Sequence, residues 1–207
     1  MTGLAQRRRV PAPPSPAAGG PPDEAASRPA ILGWLLFDWA SQPFFTLVTT
    51  FVFAPYVAAA LAPNPAEGQA LWGYATAAAG LALALLSPVL GSVADASGPK
   101  KPWIAACGLV LMLASWALWY AAPGAPAALG VALVGFAVGT VAAEVAAVFN
   151  NAMMVRLVPS QRLGRLSGTG WAVGYMSGLV SLVVVLGLLA ASPETGLTYF
   201  GLKPLFG

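Results

Sequence analysis

Two acidic residues lie inside long apolar stretches, where a carboxylate needs a specific role. Glu144 falls near the middle of an apolar run over residues 127–155. An ionised carboxylate at the centre of a membrane helix costs at least about 2.5 kcal/mol on insertion scales, so such residues usually serve a function or pair with another helix. We predict that Glu144 binds substrate or carries a proton. The alternative is a structural carboxylate that is protonated or hydrogen-bonded to a neighbouring helix.

Each acidic residue shares a helix face with other polar side chains. On a helical wheel, Glu144 has Thr140 and Asn151 on its own face. This face lies opposite a stripe of small residues and away from a Val/Phe stripe, ending at Phe149, that suits lipid. A polar face of this kind needs water or polar partners.

A second polar face lies in the apolar run over residues 30–60. Asp38, Gln42 and Thr49 fall within about 40° on the wheel. Two polar faces that meet in lipid imply an aqueous cavity between helices, so all six polar residues are candidates for a solute or proton site. Asp38 has a second interpretation, at the inner headgroup boundary, because residues 39–60 alone could span about 30 Å.

The composition requires a membrane environment. Of 207 residues, 58% are hydrophobic and 8% are charged, whereas a soluble domain carries about a quarter charged residues. The net charge of +3 does not indicate a nucleic-acid partner, because the basic residues form short clusters between apolar runs. The chain has no His and one Cys, Cys107. With no nucleophile–base or metal-ligand constellation, we predict no enzyme, no metal and no cofactor.

Five apolar runs are long enough to cross about 30 Å of hydrocarbon. They cover residues 30–60, 70–93, 102–122, 127–155 and 168–191, with Pro, Gly and Ser at the breaks. We therefore predict an all-α polytopic membrane protein with about five transmembrane helices. Residues 1–29 are basic and rich in Pro and Ala, which predicts a disordered cytosolic tail.

The basic residues also predict an orientation. Nine of the ten Lys and Arg precede the first span, follow the second or follow the fourth, and the tenth is Lys203. The positive-inside rule then places the N-terminus in the cytosol and the C-terminus outside.

Small residues recur on two of the predicted helices. Gly135 and Gly139 lie on one face of the fourth, while Gly170, Gly174 and Gly178 follow a strict four-residue spacing on the fifth. Glycine lets helix backbones approach closely, so both stripes predict tight helix packing. The alternative is the ordinary enrichment of Gly in membrane helices.

The loop after the second span carries a recognisable motif. It runs from Gly91 through Asp95 and Gly98 to Lys100 and Lys101. One interpretation is a carboxylate and a basic pair on either side of a Gly turn at the cytosolic membrane surface. The alternative is an ordinary basic loop that follows the positive-inside rule.

The spacing of this loop resembles the G-x-x-x-D-x-x-G-[RK]-[RK] signature of the major facilitator superfamily, and departs from it at Pro99. The resemblance implies a gating loop that latches the two halves of a transporter on the cytosolic side. Arg156, at the cytosolic end of the fourth span, is a candidate ion partner for Asp95.

Three further runs are similar to the vacuole-effluxer-like branch, which includes fungal vacuolar amino-acid exporters and many bacterial permeases. They are residues 34–41, 149–152 and 167–175. Gly174-Tyr175 stands where a drug-antiporter signature would have Gly-Pro, which argues against a proton-coupled drug exporter.

The resemblance implies two six-helix halves, with helices one and four lining the central cavity. The chain then corresponds to a truncated N-terminal half whose partners are the lipid bilayer, a small-molecule solute and the missing C-terminal half. The expected function is secondary transport of small solutes, possibly amino acids, across a bacterial cell membrane. The alternative is a non-transporting membrane module that assembles with a partner.

Overall fold

The computed structural model describes residues 25–96, 98–189, 192, 195–197 and 200, apart from the side chain of Asp95. This part of the chain contains five long helices and no strand. All five are long and apolar enough to cross a membrane, which confirms the predicted all-α architecture with five spans. The helices are α1 (Arg28–Leu61), α2 (Pro65–Ala96), α3 (Lys101–Ala117), α4 (Ala128–Met154) and α5 (Leu163–Val184). Most of the predicted tail lies outside the described residues.

Two helices, α2 and α5, begin five residues earlier than the apolar runs indicate. Helix α2 starts at Pro65, because the Asn64 side chain accepts a hydrogen bond of 2.9 Å from the backbone N–H of Glu67. Asn64 followed by Pro65 is therefore a helix start, with the proline at a position whose N–H needs no partner. Helix α5 starts at Leu163, directly after a 3₁₀ turn over Ser160–Arg162, so it includes part of the basic loop.

Pro43 interrupts the backbone hydrogen bonding of helix α1. A proline has no N–H, so the carbonyl of Trp39 loses its helical partner. The hydroxyl of Ser177 on α5 donates to that carbonyl at 2.6 Å, and Ser177 itself is buried. The chain continues as a π-helical segment over Phe44–Phe51. A backbone defect in α1 is thus repaired by α5, as is required where no water can replace the bond.

Helix α4 is the core of this bundle, in contact with α2 and α3, while α1 packs mainly on α5. Two stacked aromatic pairs join α4 to its neighbours. The ring centroids of Trp72 and Phe136 are 4.0 Å apart, and those of Trp103 and Phe149 are 5.3 Å apart. The assignment of Phe149 to a lipid-facing stripe was wrong, because the Trp103 ring of α3 covers it and leaves it fully buried.

The orientation remains a prediction that cysteine labelling can test. In a background where Cys107 is replaced by Ala, we expect Gln161→Cys, in the exposed loop before α5, to react only after the membrane is permeabilised. Ala122→Cys, in the exposed loop before α4, should react with an impermeant maleimide in intact cells. The reverse pattern would contradict a cytosolic N-terminus.

Candidate functional site

Helices α1, α4 and α5 line a half-open cleft of about 340 Å³ that contains polar and aromatic side chains. Four of the six predicted polar residues line it: Asp38 and Gln42 from α1, and Glu144 and Asn151 from α4. Helix α5 supplies the third wall with Ser167, two glycines and two aromatic side chains. The structure thus brings together polar groups that are more than 100 residues apart in the sequence.

Helices α1 and α4 meet in an antiparallel register that sets the depth of the two carboxylates. The indole N–H of Trp34 donates to the carbonyl of Asn150 at 2.8 Å, and the Phe44 ring lies against Gly139. Between these contacts, Asp38 and Glu144 lie within about 3 Å of each other along the helix axes. Each is about 15 Å from the cytosolic end of its helix under the predicted orientation. Both carboxylates therefore reach the cleft at one level.

The glycines of α5 make room for the polar side chains of α1. A Cβ atom placed on Gly170 would lie 2.8 Å from Oδ2 of Asp38, and one on Gly174 would lie 3.4 Å from Cβ of Asp38. Gln42 lies against both Gly174 and Gly178. The four-residue spacing thus creates a groove in α5 that receives Asp38 and Gln42, and helix packing and cleft formation depend on the same residues.

The second glycine stripe is separate from the cleft. A Cβ atom on Gly135 would lie 2.8 Å from Cδ2 of Leu118, which follows α3, and one on Gly139 would lie 2.7 Å from Cζ of Phe44 on α1. These two glycines let α4 approach both α3 and α1 closely.

Thr140 and Thr49 do not line the cleft. The hydroxyl of each is buried and has no hydrogen-bond partner within the described part of the chain. Thr49 instead borders another cavity, between α1 and α2. Thr49 shares a helix face with Asp38 and Gln42 in projection but has different neighbours, because α1 becomes π-helical between Gln42 and Thr49.

Aromatic residues of the cleft were not among the predicted site residues. Trp34, Trp171 and Tyr175 all line it. Trp171 and Tyr175 each follow a glycine of the α5 groove by one position, so the same four-residue period places them beside it. If the glycine stripe is taken as a helix contact, the residue after each glycine lies at the edge of that contact. The sequence therefore contained enough information to predict that Trp171 and Tyr175 flank the groove.

The loop motif has a defined local structure at its basic end. Lys100 is 7% exposed, and its ammonium group donates to the carbonyl of Ala94 at the end of α2. A cation at a helix C-terminus stabilises the unpaired carbonyls there. Lys101 is exposed and starts α3, and Gly91 and Gly98 have open space where a Cβ would be.

The acidic end of the motif is not described. The side chain of Asp95 lies outside the described residues, and Arg156 is exposed. The pairing of Asp95 with Arg156 therefore stays a prediction.

The chain is 30% identical over 176 residues to the uncharacterised MFS-type transporter YxiO of Bacillus subtilis (strain 168). This match includes 78% of the chain and 38% of the relative. The similarity supports membership of the major facilitator superfamily. The chain spans well under half the length of this relative. No protein-family model and no solved structure matches the chain.

Proposed function

We propose that the chain belongs to a secondary transporter that carries a small solute through the cleft between α1, α4 and α5. The observation that carries this proposal is the meeting of Asp38, Gln42, Glu144 and Asn151 in one cleft between helices long and apolar enough to cross a membrane. Charged side chains inside such helices typically line a solute or ion path. The MFS-type relative supports the same function.

Three finer statements belong to this proposal. The branch is vacuole-effluxer-like, by the runs around Asp38, Asn150 and Trp171. Amino acids are a first candidate for the solute by this resemblance alone, since the branch includes vacuolar amino-acid exporters. A second helical half completes the path, a proposal that the greater length of the relative supports. The loop from Gly91 to Lys101 latches that half on the cytosolic side.

Solute counterflow tests the proposal. We expect proteoliposomes that contain the protein at its native length to exchange a labelled solute from a panel of amino acids, amines, sugars and carboxylates. Gln42→Ala and Asn151→Ala should each reduce this exchange by at least about tenfold, since each removes hydrogen bonds to a solute in the cleft.

Gln69→Ala is the matched control, because Gln69 is exposed on α2 and lies outside the cleft. If neither Gln42→Ala nor Asn151→Ala changes the rate of solute exchange, the solute does not pass through this cleft. Absence of exchange for every class of solute would favour the non-transporting module.

A further inference from the structure

We infer that the cleft is selective for a small organic cation, whose ammonium group lies between the Asp38 carboxylate and the rings of Trp171 and Tyr175. This inference rests on the proposed function, in that it takes the cleft to be the solute site. It adds the charge of the solute and the residues that recognise that charge.

The charge of the lining is one-sided. Asp38 and Glu144 line the cleft, and no Lys or Arg is among its described lining residues. Asp38 has no ion pair or hydrogen bond to its carboxylate within the described part of the chain, although it is partly buried against Gly170. A desolvated carboxylate without a partner is costly, and a bound cation would offset that cost. A solute carboxylate, by contrast, would meet only negative charge on this wall.

The aromatic wall lies next to this carboxylate. Trp171 follows Gly170, the residue against which Oδ2 of Asp38 rests, and Tyr175 lies one turn further along α5. Their ring centroids are 5.6 Å apart with the planes at 44°. Ring faces attract cations, most strongly when the cation is desolvated, and tryptophan is the best of the aromatic partners.

Both rings line the same cleft as Asp38. Trp171 is 64% exposed and Tyr175 is 56% exposed, and both border a cleft whose volume of about 340 Å³ is within the ordinary range for small-molecule sites. An ammonium group beside the Asp38 carboxylate can contact the ring face that Trp171 or Tyr175 presents to the cleft. Gln42 and Asn151 add amide oxygens that can accept hydrogen bonds from the remainder of the solute.

The test uses the purified protein at its native length in nanodiscs, and every residue of the proposed site lies within these 207 residues. The probes are choline and 3,3-dimethyl-1-butanol, which has a carbon atom in place of the charged nitrogen. We expect calorimetry to show that choline binds at least about tenfold more tightly than its neutral isostere. Asp38→Asn should reduce the difference to about twofold or less, and Trp171→Leu should weaken choline binding more than isostere binding.

Glu67→Gln is the matched control, since Glu67 is an exposed carboxylate at the start of α2 and outside the cleft. Thermal unfolding of each variant and of the unmodified protein first shows whether the variant is folded. The comparison of the two probes on the unmodified protein does not depend on any variant. Equal affinities for choline and its isostere would overturn the inference. So would tighter binding of glycine betaine, which has a carboxylate in place of the CH2OH group of choline. Binding of neither probe would also overturn it. The proposed function is judged separately, because counterflow of any other solute would still support transport.

Discussion

Replacing Gly170 with alanine should destabilise the protein, although alanine is the better helix former. The added methyl would lie 2.9 Å from Cζ3 of the Trp34 ring and 2.8 Å from Oδ2 of Asp38. Trp34 is buried, and its indole N–H is committed to the carbonyl of Asn150. The ring therefore moves only if that hydrogen bond breaks or α1 shifts. Overpacking of this kind costs about 1–3 kcal/mol, and leucine at the same position should prevent assembly of α1 on α5.

Gly168 is the matched control on the same helix. It has open space where a Cβ would be, so Gly168→Ala should leave stability unchanged or raise it by up to about 1 kcal/mol, the difference in helix propensity. The measurement is thermal unfolding of the purified protein in detergent. If the two alanine variants unfold at the same temperature, the contact of Gly170 with Trp34 does not support the packing of α1 on α5.

The three glycines of the groove should not respond equally. The space at Gly174 is the widest, since its nearest neighbour, Cβ of Asp38, is at 3.4 Å from the Cβ position. At Gly178 a methyl would collide with the Thr46 hydroxyl. The sequence presents the three glycines as equivalent members of one repeat. The loss of stability expected at each glycine depends on which side chain of α1 faces it. The four-residue spacing in the sequence does not show which side chain that is.

Hydropathy and helical periodicity predicted much of this fold correctly. Five runs of apolar residues became five membrane-length helices, because hydrocarbon allows the backbone few other ways to satisfy its hydrogen bonds. The polar faces around Asp38 and Glu144 also met in a cleft, since side chains of this polarity avoid lipid in either helix. Both inferences depend only on whether each residue is more stable in water or in lipid. This preference can be assigned to each residue from its type alone.

The remaining features depend on pairs of helices. Phe149 is apolar and its stripe suits lipid, yet the Trp103 ring covers it. Thr49 shares a wheel sector with Asp38, but the π-helical segment after Pro43 changes the direction in which it points. Ser177 has no evident role until the free carbonyl of Trp39 is known. Such contacts depend on which helices pack together and on local irregularities of the backbone. A single sequence shows neither directly.

The largest effect on function is expected at Glu144, across the cleft from the Asp38 site. Glu144 is exposed and lines the cleft, and it has no ion pair within the described residues, so its carboxylate is accessible from the cleft. If its carboxylate carries the coupling proton, Glu144→Gln should abolish accumulation driven by a pH gradient. Exchange of solute should persist, because glutamine keeps the size and hydrogen-bonding capacity of the side chain but cannot take up or release a proton.

The assay compares two modes of transport in proteoliposomes that contain the protein at its native length. Uptake under an imposed pH gradient reports proton coupling, while counterflow without a gradient reports solute binding and conformational cycling. The Glu144→Gln variant should lose the first and keep the second, and Glu67→Gln, outside the cleft, should keep both. Asp38→Asn should weaken both modes, because it removes the charge proposed to hold the solute. Gradient-driven uptake at the unmodified level in Glu144→Gln would rule out the proton-carrier role and leave Glu144 as a polar wall of the cleft.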